Sequence, residues 1–175
     1  VRPPTEPIAY LSVGLGVFGA AVVLASTALP FASLKLGSVP LADVTGYGSP
    51  AGLTPWIAGI PVGFFAVLVA LGAIGLAVVG LVVQLPEGSR PWPSMALIAI
   101  GVIGAMLFVG DFIGVILKTE DANNGSPFGM HLEVTLGIGL LGMLLGATLI
   151  VAGGVVPLLQ ASAQNKKAAL PPPPV

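Results

Sequence analysis

Cysteine is absent from the sequence, and charge is nearly so: thirteen of its 175 side chains are Asp, Glu, Lys or Arg. Without cysteine there can be no disulfide, thiolate metal site, cysteine nucleophile or lipid attached through sulfur. A charged fraction of 7% lies far below the roughly 25% of an average soluble domain. So few charges cannot cover the surface of a soluble domain of this length, and lipid is the solvent that does not require them. Six basic side chains against seven acidic ones leave no positive excess to neutralise phosphates, so nucleic acid is not an expected partner. One histidine and scattered carboxylates offer little from which to build a catalytic or metal centre. No cofactor and no enzymatic activity are expected.

What is present is apolar: 55% of the residues are hydrophobic. Four long apolar stretches stand out, Ile8–Leu29, Trp56–Leu85, Met95–Leu117 and Leu132–Leu159. Each exceeds the roughly 20 residues needed to cross a ~30 Å hydrocarbon core as a helix. In lipid the backbone must satisfy its own hydrogen bonds, so each stretch is expected to be helical despite its valine and glycine. The first has 22 residues, longer than the roughly 7–15 of a signal-peptide core, and reads as a span. The expected fold class is therefore an all-α membrane protein, a four-transmembrane-helix bundle. Residues 1–7 form one terminus, residues 8–159 the membrane domain, and residues 160–175 a polar tail ending in Pro171–Pro174. That tail reads either as a disordered end or as a polyproline docking peptide.

Lysine and arginine set the orientation. An even number of spans puts both termini on one side, together with Arg2, Arg90, Lys166 and Lys167; the other side holds Lys35 and Lys118. Four against two predicts a multi-pass protein with both termini cytoplasmic, and the richness in Gly, Ala, Val and Pro fits a GC-rich bacterial genome, so the expected membrane is the bacterial plasma membrane. The inner loop, Pro86–Pro93, is a tight turn in which Pro91 and Pro93 end one helix and begin the next. The first outer loop, Pro30–Pro55, is long. Its runs Leu34–Leu36 and Val39–Val44 flank Gly37-Ser38 and read as a β-hairpin. Pro40 would confine the second run to a sheet edge. The second helix starts either at Thr54-Pro55, with a kink near Pro61, or at Ile60-Pro61. Pro157 reads as a local bend near the inner end of the fourth span.

Two stretches, Gly14–Gly19 and Gly137–Gly142, match the G-x-G-x-x-G spacing of a dinucleotide site. That motif needs a preceding strand, a following helix and a later acid. Inside apolar spans the glycines instead let helices approach closely. Gly16, Gly59, Gly63, Gly110, Gly114, Gly142 and Gly146 are the expected packing positions, touching either other helices of the bundle or a partner. Asp111 is the one ionisable residue well inside a span, six residues before Leu117 and so about 9 Å from the outer end. Lys118 follows two turns later on the same face, and His131 and Glu133 open the fourth span at the same level. These four are the candidate polar cluster. One reading makes Asp111 a proton or cation relay or a ligand contact. The other, preferred here, makes it an acid near the interface that pairs with Lys118 and holds the third helix in register.

The layout resembles small four-span membrane proteins of actinobacteria, including the tryptophan-operon-associated group, and the claudin-like tetraspan arrangement. The features that carry the resemblance are a first span ending Leu29-Pro-Phe-Ala-Ser33, a long outer loop with strand-like runs, a tight inner turn, an acid near the outer end of the third span and a glycine-rich fourth span. The claudin loop signature of Trp, Gly-Leu-Trp and two Cys is missing, so claudin function does not follow. The resemblance implies architecture over about residues 8–160. The function expected is that of a non-catalytic accessory or structural subunit, packed against other membrane subunits or against itself. A small transporter or ion channel using Asp111 is the alternative, and a membrane enzyme ranks last.

Overall fold

A computed structural model describes residues 6–47, 56–57, 60–82, 92–124 and 131–168. The elements run α1 (Glu6–Ser26), β1 (Pro30–Leu36), β2 (Val39–Thr45), β3 (Trp56–Ile57), β4 (Ile60–Pro61), α2 (Val62–Val82), α3 (Trp92–Asn124), β5 (Leu132–Leu136) and α4 (Ile138–Ala168). The described residues are thus mostly helical, with four helices, a small three-stranded sheet and the two-stranded pair β3–β4. Each helix packs on two neighbours: α1 on α2, α2 on α3, α3 on α4 and α4 back on α1. Successive helices are antiparallel, so the sheet, the carboxyl ends of α1 and α3 and the amino ends of α2 and α4 gather at one end.

The side chains are sorted as a bilayer requires. Small residues line part of the interior, where Ala20, Ala66, Ala70, Ala73, Ala77 and Ala147 are buried beside Leu97, Phe108, Leu140, Met143 and Ile150. Other large apolar ones face outward, among them Phe18, Leu68, Leu71, Met106 and Leu145. Three helices, α2, α3 and α4, are long and apolar enough to cross a membrane. They mark a membrane protein. In α1 the apolar stretch Tyr10–Ser26 is shorter.

The hairpin forms where its alternation and turn residues place it. β1 pairs antiparallel with β2, and Gly37 takes φ +61° in the two-residue turn, a conformation most side chains avoid. Strand order β2-β1-β5 puts β2, with Pro40, at an edge. The sheet has two faces. Ala32, Leu34 and Val44 are buried toward the bundle. Ser33, Asp43 and Thr135 form a row on the other face, and Ser33 Oγ donates to Asp43 Oδ1 over 2.6 Å.

Several boundaries differ from the sequence expectation, and one that the sequence left open is resolved; the first helix covers Glu6–Ser26 where 8–29 was expected. The fourth apolar stretch does not begin as helix: Leu132–Leu136 is β5, paired with β1, and α4 starts only at Ile138. A strand partner lying 100 residues away in sequence outcompetes helix extension, because Leu-Glu-Val-Thr-Leu alternates and Gly137 then breaks the run. The second helix begins at Val62, directly after Pro61, so the later of the two expected starts is the real one; Trp56–Ile57 pairs instead with Ile60–Pro61. The third helix is longer than its apolar core at both ends, with Pro93 in its first turn and Lys118–Asn124 continuing it. The last helix runs through the expected tail boundary at 160 to Ala168. Residues 1–5, most of the inner loop, Gly59 and Pro171–Pro174 lie outside the described residues.

Candidate functional site

The sheet end of the bundle is where chemistry-bearing residues concentrate. Asp111 sits on the interior face of α3, in line with Gly104 and Phe108, and is only 6% exposed. Its Oδ2 has no hydrogen-bond partner. The helix contacts fix what lies beside it. Cβ atoms built at Gly80 and Gly72 of α2 would meet Pro93 and Ile100 of α3, and one at Gly104 would meet Val69. That antiparallel register carries on to set Asp111 level with Val62, the first residue of α2. The first turn of α2 contains no acid of its own, and Pro61 before it has no capping side chain. In that turn Gly63 gives its N–H to Gly46 O at 2.8 Å. A buried carboxylate at this level therefore lies near the positive end of a helix dipole.

The four residues of the expected polar cluster lie in three settings, α3, the lead-in to β5 and β5 itself. Lys118 shares the Asp111 face two turns further on, but is exposed near the helix end. His131 is exposed just before β5. Glu133 belongs to the sheet, where it stands directly opposite Lys35 of β1. Opposite charges at facing strand positions stabilise a sheet, so its nearest cross-strand neighbour lies in the first loop and not on α3.

Asn123 was not legible as a structural residue. Its Nδ2 donates to Leu132 O at 2.9 Å and its Oδ1 accepts from the Leu132 N–H at 2.7 Å. One side-chain amide thus imitates a strand neighbour and ties the end of α3 to the start of β5. Only its place beside the Asn-Asn-Gly turn hinted at this.

The chain matches no protein-family model, no curated protein and no solved structure. Its own geometry is accordingly the basis for any functional reading.

The glycines divide sharply. At Gly146 a Cβ would lie 2.6 Å from Gly19 O, and at Gly142 it would overlap Ser26 Oγ. Gly16 sits in ordinary contact distance of Ala77 and Leu97, so it joins α1 to both α2 and α3. Gly63 is covered by the Tyr47 ring, 2.6 Å from its Cβ position, which seats the end of the hairpin segment on α2. Among the described residues, nothing outside their own stretch of helix lies within 4 Å of a Cβ built at Gly110 or Gly114. They lie off the interior face that carries Gly104 and Asp111, and among the described residues no other helix packs on them. Close approaches missed in the sequence are Gly101 against Ala147 and Val151, Gly153 against Ser12 and Gly16, and Gly154 against Ser94.

Proposed function

We propose that the protein is a non-catalytic four-span subunit of a bacterial plasma-membrane complex, with both termini cytoplasmic and α3 turned toward a partner. The observation that carries this reading is the open face of α3. Gly110 and Gly114 give that face a shallow groove, and exposed Ile103, Met106, Ile113 and Leu117 surround it. Of the three long helices, α3 buries the least of its apolar length inside the bundle. Small residues at four-residue spacing are where membrane helices approach one another. The layout resemblance to actinobacterial and claudin-like tetraspan proteins supports the same architecture and adds no activity.

A small transporter or cation channel is the second reading. It is favoured by the unpartnered oxygen of buried Asp111. Against it stands the shortage of polar groups through the bundle. Among the described residues the buried polar side chains are Ser12, Ser26, Thr27 and Asp111, and the three hydroxyls are each engaged by a backbone carbonyl. Between Ser12 and Ser26 the buried side of α1 carries Ala20 and Val23.

Two experiments test the proposal. Purification of the tagged protein from its native membrane in mild detergent, followed by mass spectrometry, yields a stoichiometric membrane companion if it is a subunit. A lone homo-oligomer that conducts protons or cations in proteoliposomes replaces the subunit reading by transport. Orientation is tested separately. Cysteines introduced at Ser49 and Ser126 react with an impermeant thiol reagent in intact cells and one at Ser89 does not. The opposite labelling pattern rejects cytoplasmic termini.

A further inference from the structure

A helix that contains proline loses one backbone hydrogen bond. Pro157 lies within α4, and having no N–H it cannot donate to the carbonyl four residues earlier, which belongs to Gly153. That carbonyl is not left unpaired. Ser12 Oγ of α1 donates to Gly153 O over 2.5 Å, in a buried position. The two helices are close enough for this because Gly153 has no side chain: a Cβ there would lie 2.9 Å from Ser12 O and 3.0 Å from the Gly16 N. The serine, the glycine and the proline thus form one unit. Proline frees the acceptor, glycine admits the neighbouring helix, and serine supplies the donor. In a bilayer no water replaces a missing donor, so the acceptor must be served from within the protein.

We infer that Ser12 is the latch of a proline joint in α4, locking the segment beyond Pro157 against α1 and converting a potential hinge into a fixed bend. The inference rests on the α1–α4 contact alone and stands whether or not the protein has a partner. It also separates Ser12 from its neighbours: the other buried hydroxyls in α1 and the following turn, Ser26 and Thr27, donate to carbonyls three or four residues back and so bridge no helices.

The test is a two-residue cycle in lipid nanodiscs, read by amide hydrogen exchange and by thermal unfolding. Ser12→Ala speeds exchange in the 155–163 segment of α4 about fivefold and lowers the melting temperature, because Gly153 O becomes a buried acceptor with no partner. Pro157→Ala restores the backbone donor. In that background Ser12→Ala has little effect, since Gly153 O is served by α4 itself. The coupling between the two substitutions is the signature. Overturning results are equally plain. If Ser12→Ala leaves α4 exchange unchanged, the latch does not exist. If Ser12→Ala costs the same with alanine at 157 as with proline, the serine acts by packing and not through the freed carbonyl.

Discussion

Gly142 and Gly146 of α4 and Gly110 and Gly114 of α3 share one residue type and one four-residue spacing, yet they meet opposite surroundings. The first pair is pressed against α1, with Ser26 and the Gly19 carbonyl where side chains would go; the second pair meets no other element among the described residues. The difference teaches that a small-residue spacing shows where a helix permits close approach, and not what approaches. In α4 the partner is in the same chain. In α3 it is lipid or another protein, and the whole functional proposal turns on which.

The largest expected effect is at the α1–α4 seam. Gly146→Leu drives its side chain into the backbone of α1, which cannot yield as the tip of a flexible side chain can. Overpacking of this kind costs about 3 kcal/mol. The expected outcome is loss of a monodisperse species in size-exclusion chromatography, or a melting temperature lowered by many degrees. Gly142→Leu follows closely, because its side chain meets Ser26 at the end of α1. Leu145→Ala is the control. Leu145 faces outward, and its truncation leaves the bundle nearly unchanged. If Gly142→Leu and Leu145→Ala behave alike, the α1–α4 packing described here is incorrect.

The seam and the hairpin also mark what the sequence makes legible. Helices are visible because a long apolar run has one way to satisfy its backbone in lipid. The β1–β2 turn is visible because Gly37-Ser38 and the alternation around it are local. The pairing of β5 with β1 is not local. Leu132–Leu136 looks like the start of a long apolar run, and only the presence of β1 across the sheet makes it a strand. The candidate site suffered from the same blindness. Asp111 stood out as a buried acid in the sequence and is one. Glu133 was expected to open the fourth span and lies in β5 opposite Lys35, and the first turn of α2 could not be foreseen before the helix start at Val62 was known. Asn123 and the Ser12–Gly153 bond depend on backbone atoms, which sequence patterns do not display.

A smaller effect is expected at Asp111. If its carboxylate serves the positive end of α2, Asn keeps the shape and an acceptor while losing the charge. The loss is then about 0.5 kcal/mol, with insertion and companion binding intact. A relay or cation site behaves differently: Asp111→Asn folds and inserts normally, yet abolishes proton or ion flux in proteoliposomes. Thermal unfolding and flux measured on the same preparation separate the two. Flux in the parent protein that disappears in a well-folded Asn variant removes the structural reading of Asp111.

The smallest effect on the isolated chain is expected at Gly110 and Gly114, and for that reason these positions are the most informative. Leucine at either meets open space. Leucine also forms helix more readily than glycine, by up to about 1 kcal/mol in solvent-exposed helices. Gly110→Leu and Gly114→Leu should therefore leave the melting temperature of the purified chain unchanged or slightly raised. If α3 faces lipid, native-membrane purification yields the same species as the parent. If α3 seats a partner helix, the new side chains hold the two backbones apart, and the companion is lost while the bundle remains folded. A stable variant stripped of its companion supports the subunit proposal at the face that motivated it. Retention of the companion by both variants moves the contact away from α3 and leaves Gly110 and Gly114 as lipid-facing glycines.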